Sequence, residues 1–425
     1  MTTVLLVAIL PLVMLLIGVP IFIALLAAAL GGILVSNNPI QALHSAMFGS
    51  LDVFPLLAVP LFIYAGDVMA RGGIARRLID LVLAMIGGIR GSLGIATIAA
   101  CEVFSVMSGS SVACVAAIGK IMIPSLKKNG YGDTFSVSLV TATGVVDVIT
   151  PPSITMIIYG IVAQQSVPHL FLAGFAPGIL IGVALALYVV LYARFKRIPV
   201  TQAAERKSVR GMFKEAIWAM LAPVVIFGGI YGGLFTPTEA AGVACIYAIF
   251  VSMFIYREIT WRQLWIITID SALLIAQVLI IVAAAGAFAW LVTTSGFPAK
   301  LVDFVSSFNL TPWMLLLIIN IILLFVGSVL EPPAAILLLT PLLTPIAYQA
   351  GVDPIHFGII VTVNLAIGMF MPPFGLNLFA AHALFKTPLP ELYRGVLPFL
   401  VIYLVMLMLI TYVPAITLAP LALLK

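Results

Sequence analysis

From Val4 to Val35 the chain carries no Lys or Arg, and its apolar residues do not alternate with polar ones. Barrel strands alternate in segments of about ten residues, whereas a spanning helix needs about 20 apolar residues in a row. The run therefore reads as membrane helix. The rest of the chain extends the argument: 63% of its 425 residues are hydrophobic and 8% are charged, with a mean hydropathy of +1.26. A soluble domain carries roughly 25% charged residues. A deficit of this size leaves no residues to coat a water-facing sphere, so the surface faces lipid. The length allows roughly ten to twelve passes. Met1 to Val35 lacks the basic start and small-residue cleavage site of a signal peptide, and is read as mature structure with a break at Gly18-Val19-Pro20.

The few charges orient the chain. Arg194, Lys196, Arg197, Arg206, Lys207, Arg210 and Lys214 hold 7 of the 20 Lys and Arg residues, between two apolar blocks. The positive-inside rule puts this linker, residues 196–214, in the cytoplasm. The net charge of +5 then reports orientation rather than nucleic-acid binding. Both ends are poor in Lys and Arg and lean outside, so each half crosses an odd number of times. Cys101, Cys114 and Cys245 show no CxxC spacing, and His44, His169, His356 and His382 form no metal-binding motif. Asp52, Asp67 and Asp80 flank Arg71, Arg76 and Arg77, which marks them as interface or ion-pair residues.

The two halves resemble each other. A shift of 221 residues carries Gly130 onto Gly351, Pro124 onto Pro345, Ala113 onto Ala334 and Pro151-Pro152 onto Pro372-Pro373. A shift of 223 carries Gly73–Asp80 onto Gly296–Asp303. Proline inside a helix costs about 3 kcal/mol, so paired prolines at matching places indicate a duplicated unit. With odd crossings, the units are inverted. The expected division is 1–195 and 215–425. Each has a re-entrant hairpin (about 92–127 and 312–348) and a broken helix (about 133–165 and 355–385).

The interruptions are polar. Ser105–Ser111 is an island between apolar flanks too short to span, and Thr141–Ser153 must unwind near Gly144 to Ser153. Gly327–Pro333 and Asn364–Asn377 repeat the pattern. Unwound backbone in hydrocarbon leaves peptide groups that each cost several kcal/mol. Carbonyls and hydroxyls can hold Na⁺, while helix N-termini suit a carboxylate. Two quasi-symmetric cation sites with a substrate between them are expected. Asp147 and Glu331 sit in these breaks, and either could hold Na⁺ or carry a proton. Glu102 is a third acid with no assigned place. Arg71–Ile89 and Phe297–Ser307 are too short and polar to span and read as interfacial arms.

Together with Pro60–Met69, Arg71–Leu78, Ser108–Ser111, Thr150–Ser153, Gly232–Ala241 and Met371–Gly375, the chain resembles the large membrane subunit of TRAP transporters, the DctM-like family. Phe235-Thr236-Pro237-Thr238-Glu239-Ala240-Ala241 is the most specific part. The resemblance implies an elevator-type ion-transporter fold in the bacterial inner membrane and Na⁺-driven uptake of a small organic acid. It also implies a small four-helix membrane subunit and a periplasmic binding protein, both expected as separate polypeptides. Mapped residue by residue, it puts one Na⁺ near Ser105, Ser108, Ser110, Gly144, Asp147 and Thr150, and a second near Gly327, Ser328, Gly368 and Met371. Substrate falls near Ser110, Ser111, Ser153, Glu331 and Asn377. Some TRAP subunits for acidic sugars carry an arginine just before the second span. His44–Asp52 has none, which argues against a sugar acid.

Other readings compete with this one, among them a passive channel, which would lack any requirement for a Na⁺ gradient. A stand-alone Na⁺- or H⁺-coupled anion or dicarboxylate symporter would need no binding protein. A membrane-embedded enzyme would need a catalytic constellation. Met107–Ser111 lacks the closing glycine of a GxSG motif, and His356 and His382 lie in the other half, so no enzyme is expected.

Overall fold

The computed structural model describes residues 5–36, 39–86, 90–199 and 209–424, and among these it is all helix, with no strand. Eight helices are long and apolar enough to cross a membrane, from Phe54–Arg71 to Leu389–Tyr412. Shorter apolar helices, among them Ile21–Ser36 and Pro354–Gly368, fill in between. Leu10–Leu16 and Ile21–Ser36 are parted at Gly18, whose φ of +84° ends the first helix. Of the basic linker, Arg206 and Lys207 lie outside the described residues.

Each half contains a helical hairpin. The first has arms Ser92–Ser108 and Ser111–Lys128; the second has arms Pro312–Val329 and Pro332–Gln349. Three of the four helix ends coincide under the 221-residue shift, and the fourth differs by one residue. The turns are made differently. Gly109 takes a left-handed φ of +59°, and the Ser110 hydroxyl accepts from the Ala113 amide at 3.4 Å to cap the second arm. The turn between the second pair of arms, Leu330-Glu331, has no glycine. Leu330 and Glu331 are extended, and Pro332 starts the returning arm at a position where its missing N–H costs nothing.

Each half also contains a broken span. Asp133–Thr143 leads into a one-turn segment, Val146–Ile149. Thr150 is then extended, and Ser153 caps Ile154–Val162. Pro354–Gly368 stops before Met369–Gly375, and Leu376–Phe385 follows. The bonds Pro151-Pro152 and Pro372-Pro373 are both cis. The second halves of these spans pack across the halves. Leu376–Phe385 lies on the second arm of the first hairpin, and Ile154–Val162 on the second arm of the second hairpin.

The remaining long helices surround this core. Trp261–Thr294 packs on Ile21–Ser36, Gln41–Leu51 and Ala58–Arg71, and Pro237–Phe250 packs on Ala58–Arg71. The most specific sequence string proves to be a helix start. The Thr236 hydroxyl accepts from the Glu239 amide, Pro237 is the first helical residue, and the Glu239 carboxylate accepts from the Thr236 amide at 2.8 Å. The two polar arms are helices Ile74–Met85 and Phe297–Ser306, each following a glycine with positive φ, Gly73 and Gly296. The arginines here reach acids distant in sequence. Arg71 pairs with Asp270 at 2.7 Å, while Arg76 and Arg77 both pair with Glu258, at 2.7 and 2.6 Å. Asp67 instead accepts from the Ser271 hydroxyl at 2.6 Å. Asp270 sits on the helix Trp261–Thr294, and Glu258 in the loop that precedes it.

Candidate functional site

The first hairpin tip and the first break meet at one carboxylate. Asp147 is fully buried on the one-turn helix Val146–Ile149. Its Oδ1 accepts from the Ser108 hydroxyl at 2.9 Å. Its Oδ2 has no partner. The Ser110 amide donates to the Ser108 hydroxyl at 3.3 Å, so Ser108, Ser110 and Asp147 form one cluster. An ionised carboxylate buried this way, with one oxygen open, needs a cation or a further donor. The oxygen donor set suits Na⁺.

The other residues expected beside it also make local contacts. The Ser105 hydroxyl donates to the Cys101 carbonyl at 2.7 Å within its own helix. Gly144 packs against Val115 and the Ser111 carbonyl of the hairpin's second arm. Thr150 donates to Glu102 Oε2 at 3.1 Å, and Glu102 Oε1 is buried without a partner. Glu102 thus gains a place: it bridges the first arm to the break, beside Gly182.

The second break is lined by backbone. A Cβ on Gly368 would collide with the Gly327 carbonyl group, so the broken span and the first arm of the second hairpin touch main chain to main chain. The Ser328 hydroxyl donates to the Phe325 carbonyl at 2.7 Å, and the Met371 carbonyl accepts from the Gly375 amide at 3.0 Å.

Between the two breaks, the halves are joined by side chains. The Ser111 hydroxyl donates to Asn377 Oδ1 at 3.1 Å, across 266 residues of sequence. Asn377 is fully buried, and its Nδ2 has no partner. The Ser153 hydroxyl donates to the Val148 carbonyl at 2.6 Å. The tip at Gly109 also reaches Ile154, the first residue of the opposite half-helix. The helix N-termini at Ser111 and Leu376, with their positive dipole ends, thus meet across the halves through Ser111 and Asn377, and the Ile154 N-terminus lies against the first tip. The Glu331 side chain caps none of them, and its carbonyl accepts from the Ala335 amide at 3.0 Å.

A cavity of about 550 Å³ lies beyond this centre, between the core and the long helix Trp261–Thr294. Ile158, Val162, Gly286, Thr340, Pro341 and Pro345 line it.

One polar network was missed in the sequence. Asn364 Nδ2 donates to Asn320 Oδ1 at 2.8 Å, and Asn320 Nδ2 donates to the Thr411 hydroxyl at 3.1 Å. His356 Nε2 lies 3.1 Å from the Thr411 carbonyl, and its Nδ1 lies 2.8 Å from the Thr417 hydroxyl. An asparagine in the uniformly apolar run Pro312–Val329 was the available signal.

Residues 8–416 match the family model described as the Tripartite ATP-independent periplasmic transporter, DctM component. The chain is 41% identical to a C4-dicarboxylate TRAP transporter large permease protein from Pseudomonas aeruginosa, covering 93% of this chain and 92% of that protein. It is 37% identical to an ectoine/5-hydroxyectoine TRAP transporter large permease protein from Ruegeria pomeroyi, with 96% of each chain covered. An isethionate TRAP transporter permease protein, DctMQ, from Oleidesulfovibrio alaskensis is 40% identical over 95% of this chain but only 64% of its own length. In fold, the chain is similar to the YdaH transporter of Alcanivorax borkumensis, with a TM-score of 0.63, 15% identity and 88% of each chain covered.

Proposed function

The chain belongs to the DctM component family of tripartite ATP-independent periplasmic transporters, and on that premise we propose that it is the Na⁺-coupled translocating subunit for a small organic acid. Substrate is delivered by a separate periplasmic binding protein, and a small four-helix membrane subunit completes the system. The isethionate relative, whose name joins M and Q and whose chain is longer, supports a second membrane component. The relatives' names span a dicarboxylate, a sulfonate and ectoines, and small acids are their common ground.

The observation that carries this reading is the pair of buried, half-satisfied groups flanking one hairpin tip: Asp147 Oδ2 and Asn377 Nδ2. The first calls for a cation. The second, beside paired helix N-termini, offers a donor to a carboxylate. Na⁺ bound by Ser108, Ser110 and Asp147 tightens the first tip. A second Na⁺, held by carbonyls about Gly327 and Gly368, does the same for the other. Substrate rests between them near Ser110, Ser111, Ser153, Glu331 and Asn377.

Residues 1–195 and 215–425 act as inverted repeats joined by the cytoplasmic linker, with both termini on the periplasmic side of the inner membrane. The hairpins and broken spans move as one core against the long outer helices, and the arms Ile74–Met85 and Phe297–Ser306 link the two. The test is uptake of a labelled C4-dicarboxylate, isethionate and ectoine into proteoliposomes holding the complete system. Uptake of one of them that needs both an inward Na⁺ gradient and the binding protein is expected. Uptake driven equally well by K⁺, or without any binding protein, contradicts the proposal.

A further inference from the structure

Two helices leave the centre side by side, and each presents a lysine at the same level. Ser111–Lys128 and Leu376–Phe385 start together, with Ser111 bonded to Asn377. They stay together, since a Cβ on Gly119 would strike the Phe385 ring. Lys120 follows Gly119, and Lys386 follows Phe385. At 1.5 Å per residue, they stand about 14 and about 15 Å from the starts of their helices. Both are exposed, and neither ammonium has an ion pair or hydrogen bond among the described residues. His382, one turn nearer the centre on the second helix, is exposed as well. The acids at this end are engaged elsewhere: Asp133 pairs with Lys127 at 3.1 Å, and Glu391 accepts from the Thr134 hydroxyl at 3.4 Å. Two neighbouring ammonium groups repel each other, and an anion between them relieves the repulsion.

The fold does not demand these charges. Under the 221-residue shift, Lys120, His382 and Lys386 correspond to Pro341, Ile161 and Gln165, all uncharged. In that mirror-related pair of helices, the hairpin arm Pro332–Gln349 packs on the outer helix Trp261–Thr294, and Pro341 and Ile161 line the cavity of about 550 Å³. Ser111–Lys128 instead packs on its own first arm, on Asp133–Thr143 and on Leu376–Phe385, and leaves Lys120, Ile121 and Pro124 exposed. In the proposed orientation this end is cytoplasmic. Val167–Phe195 runs into the basic linker, and Asp133–Val162 crosses once before it, so Asp133 and Lys128 lie inside. A single lysine can snorkel along lipid to the headgroups. Two of them, on adjoining helices that both begin at the proposed substrate position, mark a path for an anion.

We infer that the exposed faces of these two helices form a basic lane, in which Lys120 and Lys386 hold the carboxylate of the organic acid between the centre and the cytoplasm. The inference rests on the proposed function for the substrate and the orientation, and adds the residues that receive the acid on the inner side. The mirror-related cavity, lined by uncharged residues, has no such hold on an anion.

The test is thiol labelling of Lys120→Cys in inside-out membrane vesicles that hold the complete system. Cys101, Cys114 and Cys245 are buried, so the introduced thiol reports alone. A negatively charged, membrane-impermeant methanethiosulfonate is expected to modify it about tenfold faster than a positively charged one. Adding Lys386→Gln should remove most of that preference. No reaction would put residue 120 in lipid, and equal rates would show that no anion is drawn in. Either result overturns the lane while leaving the Na⁺-coupled reading intact. A second measurement uses Lys120→Gln in proteoliposomes preloaded with a C4-dicarboxylate. The internal concentration that halves uptake of the labelled dicarboxylate should rise about tenfold, with the KM for external substrate unchanged and Lys120→Arg like the wild type. An equal rise in both quantities would place Lys120 at the shared centre and overturn the lane. A wild-type system that takes up no C4-dicarboxylate contradicts that choice of substrate, and the labelling still decides the lane.

Discussion

The two hairpin tips share a backbone plan but not a chemistry. The first is built from side chains: Ser110 caps the returning arm, and Ser108 donates to the buried Asp147. The second is built from main chain: Gly327 and Gly368 touch backbone to backbone, and a proline takes the place of a side-chain cap. Position 147 corresponds to Gly368 under the 221-residue shift, and Ser110 to Glu331. The two breaks thus stand at corresponding places, while the residue type that serves each differs. The geometry needs only that the helix stop. What fills the gap can be a carboxylate in one half and carbonyls in the other, and each satisfies the freed peptide groups in its own way.

The comparison can be broken most severely at the main-chain site. Gly368→Leu drives a side chain into the Gly327 carbonyl and is expected to abolish Na⁺-dependent uptake, a loss of about 100-fold or more, while the protein still inserts. Normal uptake would remove the second site from the account. Asp147→Asn keeps the shape of the first site and removes its charge. Apparent Na⁺ affinity in uptake is expected to fall about tenfold, the scale of one charge-assisted interaction. Unchanged Na⁺ dependence would leave the two tips chemically alike. Asn377→Ala removes the unpaired donor and should raise the KM for substrate about tenfold with Na⁺ affinity unchanged. Equal loss of both would place Asn377 on the cation rather than the substrate.

Two further changes act on stability. Asn320→Leu strips partners from Asn364 and Thr411 in the buried network and should cost about 1–3 kcal/mol, read as a lower unfolding temperature in detergent. Thr236→Ala removes a helix cap outside the core and should cost about 1 kcal/mol with uptake per folded protein preserved. An uptake defect from Thr236→Ala would show that the outer helices do more than hold the core.

The breaks themselves were legible, because proline and glycine write backbone constraints into the sequence locally. Pro151-Pro152, Pro372-Pro373 and the Ser-Gly-Ser-Ser tip stand where the chain unwinds. What could not be read were partnerships across distance. Ser111 and Asn377 were both named, yet nothing in either segment says that one bonds the other. Thr150 donates to Glu102, 48 residues away. Arg71 pairs with Asp270, and Arg76 and Arg77 with Glu258, each about 180 residues or more away. Such choices depend on which helices become neighbours, and periodicity carries no record of that. Asn320 and Asn364 illustrate the same gap: a lone asparagine in an apolar helix signals a buried partner but not its address.

The central claim is that the polar breaks hold Na⁺. It is tested most directly by unfolding the purified chain with heat while NaCl replaces KCl at constant ionic strength. A ligand that binds only the folded state stabilises it by about 2.7 kcal/mol at 100 times its dissociation constant. The unfolding temperature should therefore climb and saturate with Na⁺, and climb less in Asp147→Asn. Superimposable curves in NaCl and KCl for the wild-type chain would contradict the account.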